Sequence, residues 1–304
     1  MKKYYQLITA LSFIAISHFA KGQGCSDAGF CTINSLKPKT SDTTSVNQNN
    51  QMKFGISNGK ADKSVNIESS YLEYNKRINK NFGFDLKLSY LSQIGPLAKS
   101  SGLSDIYLNT NFTGVKNALF TFGIKFPLND GNKMKGGLSL PMDYQNSLGT
   151  TDLIVGFSYE VKRIRFTTAL QQPLSQNNNS FLSTDYPVNS AFRQFQSTNK
   201  YVRKGDVLFR VSYPVISKEK LKITPSLLPI YHLSNDLFTD INGKEQKIVG
   251  SQGLTFNGNI FMEYSINESN QIELSFGTPF IARASRPDGL TRKYVLTLEY
   301  KLKF

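Results

Sequence analysis

The chain has 304 residues, 39% hydrophobic and 19% charged, with 36 Lys+Arg against 22 Asp+Glu and a formal net charge of +14. Beyond the N-terminal leader no apolar run is long enough for a membrane-spanning helix, which excludes a helical membrane protein. The basic residues are scattered rather than clustered and the chain carries an export signal, so nucleic acid is not an expected partner despite the charge.

Lys2 and Lys3 precede an apolar stretch over 7–19, and Ala20-Lys21-Gly22 places small residues at the −3 and −1 positions of a cleavage site. This predicts a secretory signal peptide over 1–22, with an apolar region too short and wrongly flanked to span a bilayer. A lipoprotein reading of Cys25 is the lesser alternative, because Gly22 stands where a lipidation motif wants a branched apolar residue. Cleavage leaves 33 basic and 22 acidic residues, a charge of +11. Cys25 and Cys31 are the only two cysteines, and an exported chain permits a disulfide between them. Segment 23–50 is polar and rich in Ser, Thr and Asn, and reads as a periplasmic leader or a plug inserted in a barrel.

From about residue 51 the chain alternates apolar and polar residues, the mark of strands with two unlike faces. Phe82, Phe84, Leu86, Leu88 and Tyr90 oppose Asp85, Lys87 and Ser89. Phe120, Phe122, Ile124 and Phe126 oppose Thr121 and Lys125. Leu153, Val155, Phe157 and Tyr159 oppose Asp152, Ser158 and Glu160. The last strand is clearest: Tyr294, Leu296, Leu298, Tyr300, Leu302 and Phe304 share one face, and Glu299, Lys301 and Lys303 share the other. A one-residue slip would invert every side chain, so this register is well specified. Twelve such strands can be counted. Tight spacers at 75–81, 114–117, 162–163, 217–220 and 267–270 alternate with longer ones, which predicts short periplasmic turns and long outer loops over 51–304.

A soluble sandwich also alternates, with its apolar face inward. The second face here carries Asp85, Lys87, Lys125, Arg165, Arg210, Glu263, Glu273 and Glu299 in mid-strand, as a wet lumen requires. The expected fold is an all-β transmembrane antiparallel up-and-down barrel in the bacterial outer membrane. Without tryptophan, tyrosine alone is expected to form the interfacial girdle. Phe304 resembles the terminal aromatic signal read by barrel-assembly machinery. Outer-membrane lipids and lipopolysaccharide are the other expected partners, and no cofactor is called for.

Three strand openings echo one another: Gly102-Leu103-Ser104-Asp105, Gly149-Thr150-Thr151-Asp152 and Gly205-Asp206. Each Asp is expected at the outer end of an even-numbered strand, facing the lumen. In these openings, and most of all over 148–159, the sequence resembles a family of bacterial outer-membrane barrels associated with the meta-pathway of phenol degradation and assigned to transport. Its leader, cysteine pair and Lys/Asn-rich style resemble those of a Bacteroidota exported protein. The resemblance implies passage of small organic solutes. Asp105, Lys125, Asp152, Arg165, Asp206, Arg210, Glu263 and Glu273 are then the expected luminal, selectivity-setting residues.

His232-Leu233-Ser234-Asn235 is similar to the His-x-Ser-Asn of outer-membrane phospholipase A and lipid A deacylases. A strand would put His232 and Ser234 on one face, with Glu245, Asn257 or Asn259 to orient the ring. The alternation of this strand, however, turns His232 toward the lumen, whereas a lipid hydrolase needs its nucleophile facing lipid. Asp240-Ile241-Asn242-Gly243-Lys244-Glu245 has oxygen ligands but lacks a full calcium-loop spacing, and reads as a solvated turn. No metal site is expected. A porin-like channel for small solutes is the first functional expectation; the alternatives are a lipid hydrolase and a surface-binding barrel acting through its long loops, above all 175–203.

Overall fold

A computed structural model describes residues 32–38, 49–289 and 293–304. The expected signal peptide and the Cys25–Cys31 pair lie outside them. Twelve long strands form the barrel: β1 (Asn50–Lys60), β2 (Asn66–Arg77), β3 (Phe82–Ile94), β4 (Lys99–Phe112), β5 (Ala118–Pro127), β6 (Asp152–Val161), β7 (Ile164–Pro173), β8 (Asp206–Ser212), β9 (Leu221–His232), β10 (Gly253–Ser265), β11 (Asn270–Ile281) and β12 (Tyr294–Lys303). Every strand pairs antiparallel with its neighbours in sequence, and β1 pairs with β12 from Gln51↔Lys303 to Lys60↔Tyr294. The ring is closed, as hydrocarbon demands, because an open edge would leave N–H and C=O groups unpaired at several kcal/mol each.

The alternation decides which face meets lipid. Phe54, Leu72, Leu86, Phe122, Leu298 and Leu302 point outward and are exposed, while Lys53, Glu73, Asp85, Lys125, Glu299 and Lys301 point inward and are buried. A soluble protein would not show water an apolar band of this extent around its whole circumference. The protein is an integral outer-membrane barrel.

The strand ends near both chain termini carry the tight turns. Asn79 and Asn267 close two of them: Asn79 Oδ1 accepts from the Asn81 and Phe82 amides at 2.9 Å, and Asn267 Oδ1 accepts from the Ser269 and Asn270 amides at 3.0 and 2.8 Å. Around this rim the girdle is mainly phenylalanine rather than tyrosine alone. Phe82, Phe112, Phe120 and Phe157 form a chain of ring contacts with centroids 4.8, 6.3 and 5.1 Å apart. At the opposite end the expected alternation of short and long spacers fails for the first four strands. The connections 61–65 and 95–98 are as short as the periplasmic turns. Asp105 also departs from expectation: β4 begins at Lys99, so Asp105 lies within the strand, whereas Asp152 and Asp206 do open theirs.

The seam between β8 and β9 is the least regular. Pairing runs through Asp206↔His232, Val207↔Tyr231 and Leu208↔Ile230, then lapses until Val211↔Leu227. The gap falls where β9 places Pro229, which has no N–H to donate.

The long loops 128–151, 174–205 and 233–252 fold over the outer mouth. Phe181, Phe192, Phe195, Tyr144 and Tyr186 pack into one apolar cluster with Val65, Ile67 and Leu91 at the barrel rim. Much of loop 175–203 is therefore buried in a cap.

Candidate functional site

The lumen is organised by direct cross-strand neighbours. Lys301, Lys53, Glu73, Lys87, Tyr107, Lys125 and Asp152 occupy facing positions on β12, β1, β2, β3, β4, β5 and β6 in turn. Acids stand beside lysines at Glu73 and Asp152, and these ion pairs are short: Lys53 Nζ to Glu73 Oε1 at 3.0 Å and Lys125 Nζ to Asp152 Oδ2 at 2.8 Å. Asn75 and Asn111 each donate to Asp85 at 2.7 Å.

The remaining wall departs from this balance. Glu263, Glu273 and Glu299 face one another on β10, β11 and β12, and like charges directly opposite are destabilising. Lys301 Nζ answers them in part, at 3.1 Å from Glu263 Oε2, 2.7 Å from Glu273 Oε2 and 3.4 Å from Glu299 Oε1. A second ammonium comes from outside the barrel wall. Lys37 Nζ lies 3.0 Å from Glu299 Oε2 and 3.3 Å from Glu273 Oε1. Tyr71 also donates to Glu299. Gly55 leaves room for that ring: a Cβ there would come within 2.2 Å of it.

Lys37 belongs to residues 32–38, which lie inside the lumen. A single turn, Asn34–Leu36, is gripped by basic side chains of the wall. Lys87 donates to Thr32 Oγ1 at 2.9 Å, Lys53 to Asn34 Oδ1 at 2.6 Å, Arg165 to the Ser35 carbonyl at 2.8 Å and Arg210 to the Leu36 carbonyl at 2.5 Å. Ile33 and Leu36 join a buried cluster with Ile154, Ala169 and Leu208. Gly156 makes the seat for Leu36, since a Cβ there would stand 2.5 Å from Leu36 Cδ2. Burial alone would lower the Lys37 ammonium, but Glu273 and Glu299 outweigh it and hold the group well above the usual lysine range.

Toward the outer mouth a second charged network ties the cap to the barrel. His232 Nδ1 lies 2.7 Å from Asp206 Oδ1 and its Nε2 lies 2.8 Å from Asp236 Oδ1. Tyr201 donates to Asp236 at 2.8 Å, and Arg283 donates to Asp288 at 2.9 Å and to the Ser251 carbonyl at 2.8 Å. Arg203 pairs with Asp206.

All eight expected selectivity residues are thus luminal or at the luminal mouth, but they do not form one site. Asp105 accepts from Ser147 at 2.6 Å and Ser104 at 2.8 Å, beneath the cap. Lys125 and Asp152 pair with each other, Glu263 and Glu273 share Lys301, Arg165 and Arg210 hold residues 32–38, and Asp206 binds His232. Sequence reasoning missed Lys37, Lys53, Glu73 and Asp236. Lys53 and Glu73 lie on strands whose alternation is broken by serine and asparagine, but their polar-face parity was readable. Lys37 had no such signal.

The His232–Ser234 dyad is not assembled. Both ring nitrogens are engaged by aspartates, Ser234 is exposed outside the strand, and Glu245 is exposed on a separate hairpin. Asp240 closes the turn of that hairpin: its carboxylate accepts from the Asn242 and Lys244 amides and the Gln246 side chain, each at 2.9 Å. Among the described residues no group of His, Cys, Asp and Glu is arranged to hold a metal.

No protein-family profile matches the sequence, and no curated protein matches it. Solved structures do resemble it. An outer-membrane channel designated COG4313 from Pseudomonas putida F1 superposes with a TM-score of 0.56 at 13% identity, covering 88% of this chain and 100% of that one. The CymD monoaromatic hydrocarbon channel gives a TM-score of 0.47 at 8% identity over 93% of this chain and 98% of its own, and the KdgM porin 0.45 at 6% over 84% and 99%. The first likeness carries the fold, a closed outer-membrane barrel.

Proposed function

We propose that this barrel is an outer-membrane channel for small organic solutes, held closed by residues 32–38. The observation that carries this reading is the way that segment is bound. Its hydrogen bonds and ion pairs go to charged wall residues, which water can serve when the segment leaves, and Ile33 and Leu36 add apolar packing against Ile154, Ala169 and Leu208. Charged groups of both signs on the wall, among them Lys125, Asp152, Arg165, Arg210, Glu263 and Glu273, then arrange the local fields that select a permeating solute. The solute class implied by the meta-pathway resemblance is consistent with this role. Phe304, whose backbone pairs with Asn50 at 3.0 Å in both directions, is the residue we assign to recognition by barrel-assembly machinery.

The test is conductance in planar bilayers. The intact protein is expected to conduct rarely and in small steps, and a variant lacking residues 32–38 to conduct steadily with at least a several-fold larger unit conductance. A correctly inserted deletion variant that stays silent would sink the channel reading.

A further inference from the structure

Residues 35–37 occupy the lumen in a chemically polarised way. Two backbone oxygens, of Ser35 and Leu36, face Arg165 on β7 and Arg210 on β8. The ammonium of Lys37 faces Glu273 on β11 and Glu299 on β12. The two groups of wall residues stand four strands apart around the ring, so the lumen at this level has a basic side and an acidic side. The segment bridges them with oxygens at one end and a cation at the other.

The separation is set by covalent geometry. From the Leu36 carbonyl to Lys37 Nζ the chain spans one lysine side chain, roughly 6–8 Å from standard bond lengths. A cavity of about 80 Å³ abuts this bridge, with Lys37, Arg210 and Tyr71 in its wall. Glu299 Oε1 lies 3.4 Å from the Lys301 ammonium without a hydrogen bond to it, so the acidic side retains acceptor capacity beyond what Lys37, Lys301 and Tyr71 use.

We propose that this level of the lumen binds a small zwitterion whose ammonium and carboxylate stand one lysine side chain apart, as in an ω-amino acid or the two ends of a dipeptide, and that residues 35–37 are its built-in surrogate. A plain cation would replace the Lys37 ammonium but bring no oxygen to the arginines. A plain anion would serve the arginines but leave Glu273 and Glu299 facing each other across neighbouring strands. Only a ligand with both charges satisfies both sides at once, and carboxylate suits a guanidinium better than the neutral carbonyls now there. The idea rests on residues 32–38 being displaceable, as in the channel reading.

Calorimetric titration of the full-length barrel in detergent tests it, with residues 32–38 replaced by glycine and serine so that both sides are vacated, and with those residues deleted as a second variant. The probes are 6-aminohexanoate, n-butylammonium and butyrate at fixed ionic strength. The folded variants are expected to bind 6-aminohexanoate at least tenfold more tightly than either singly charged probe. Adding Arg210→Gln should weaken 6-aminohexanoate about tenfold and leave n-butylammonium unchanged. Equal affinities for the three probes, or no binding of 6-aminohexanoate by either folded variant, would overturn the proposal. Conductance decides the channel separately: a barrel that binds the zwitterion but never conducts keeps the site and loses the channel, and one that conducts but does not bind loses the site alone.

Discussion

At the scale of single residues, the lumen is a set of buried charges whose cost is met only in company. Lys125 and Asp152 are both essentially inaccessible, and Thr150 accepts a further hydrogen bond from Lys125 at 3.0 Å. Removing one partner leaves an uncompensated charge, so Lys125→Met should destabilise the barrel by about 3–5 kcal/mol in denaturant titrations. The double variant Lys125→Met/Asp152→Leu should recover most of that loss, and an additive pair of effects would contradict this account. Gly156 makes a different point. Because Leu36 occupies the space where a side chain would stand, Gly156→Val should dislodge residues 32–38 while leaving the strands paired. The expected result is higher conductance at nearly unchanged far-ultraviolet circular dichroism; unchanged conductance would show that the seat does not hold the segment. These residue-level features were unequally legible beforehand. The inward parity of Lys125, Asp152, Glu273 and Arg210 follows from a two-residue beat that physics imposes on any strand with lipid on one side. Lys37 sits in a short irregular stretch without periodicity, and its carboxylate partners lie 236 and 262 positions away. No local pattern encodes such a contact.

At the scale of elements, the strands were readable where alternation is strict, as in β3, β5, β6 and β12, and blurred where glycine, proline and serine interrupt it. β4 was read as starting near Asp105 because Gly102 and Ser104 look like a turn. Its true start at Lys99 follows from pairing with β3, where Ser104 and Asp105 of β4 bulge opposite the single residue Ser89. The cap was opaque for another reason: its apolar residues, such as Phe181, Phe192 and Phe195, are spaced irregularly and meet only in three dimensions. The β8–β9 seam supplies an element-scale test. Pro229 stands at the lapse in pairing, and Pro229→Val restores an N–H where β8 offers acceptors. One hydrogen bond is worth about 0.5–1.5 kcal/mol net, so the variant should unfold at a modestly higher temperature on heat-modifiability gels. A lower midpoint would mean that the proline relieves strain rather than weakening the seam.

For the whole molecule, closure at the outer mouth depends on a cap that contains an acid out of place. Burial raises the Asp143 carboxyl to about 6, with Asp62 and Asp288 adding to the effect and Lys63 opposing it. An acid held above its ordinary value of 3.8 binds its proton more tightly in the folded cap than in the unfolded loop. Its contribution is therefore fully present below about pH 4 and is lost as the pH rises through about 6. Hydrogen-exchange protection of the cap amides should accordingly fall between pH 5 and pH 8 by an amount on the order of 1–2 kcal/mol. Asp143→Asn should remove that dependence; if it persists, another group is responsible.

The pairing of β1 with β12 has a consequence for biogenesis. The staves of this cask cannot be hooped until the last one meets the first, and Lys37 rests against Glu273 on the penultimate stave and Glu299 on the last. The bung is therefore expected to enter while the cask is still open, its contacts to the last two staves forming as the ring closes.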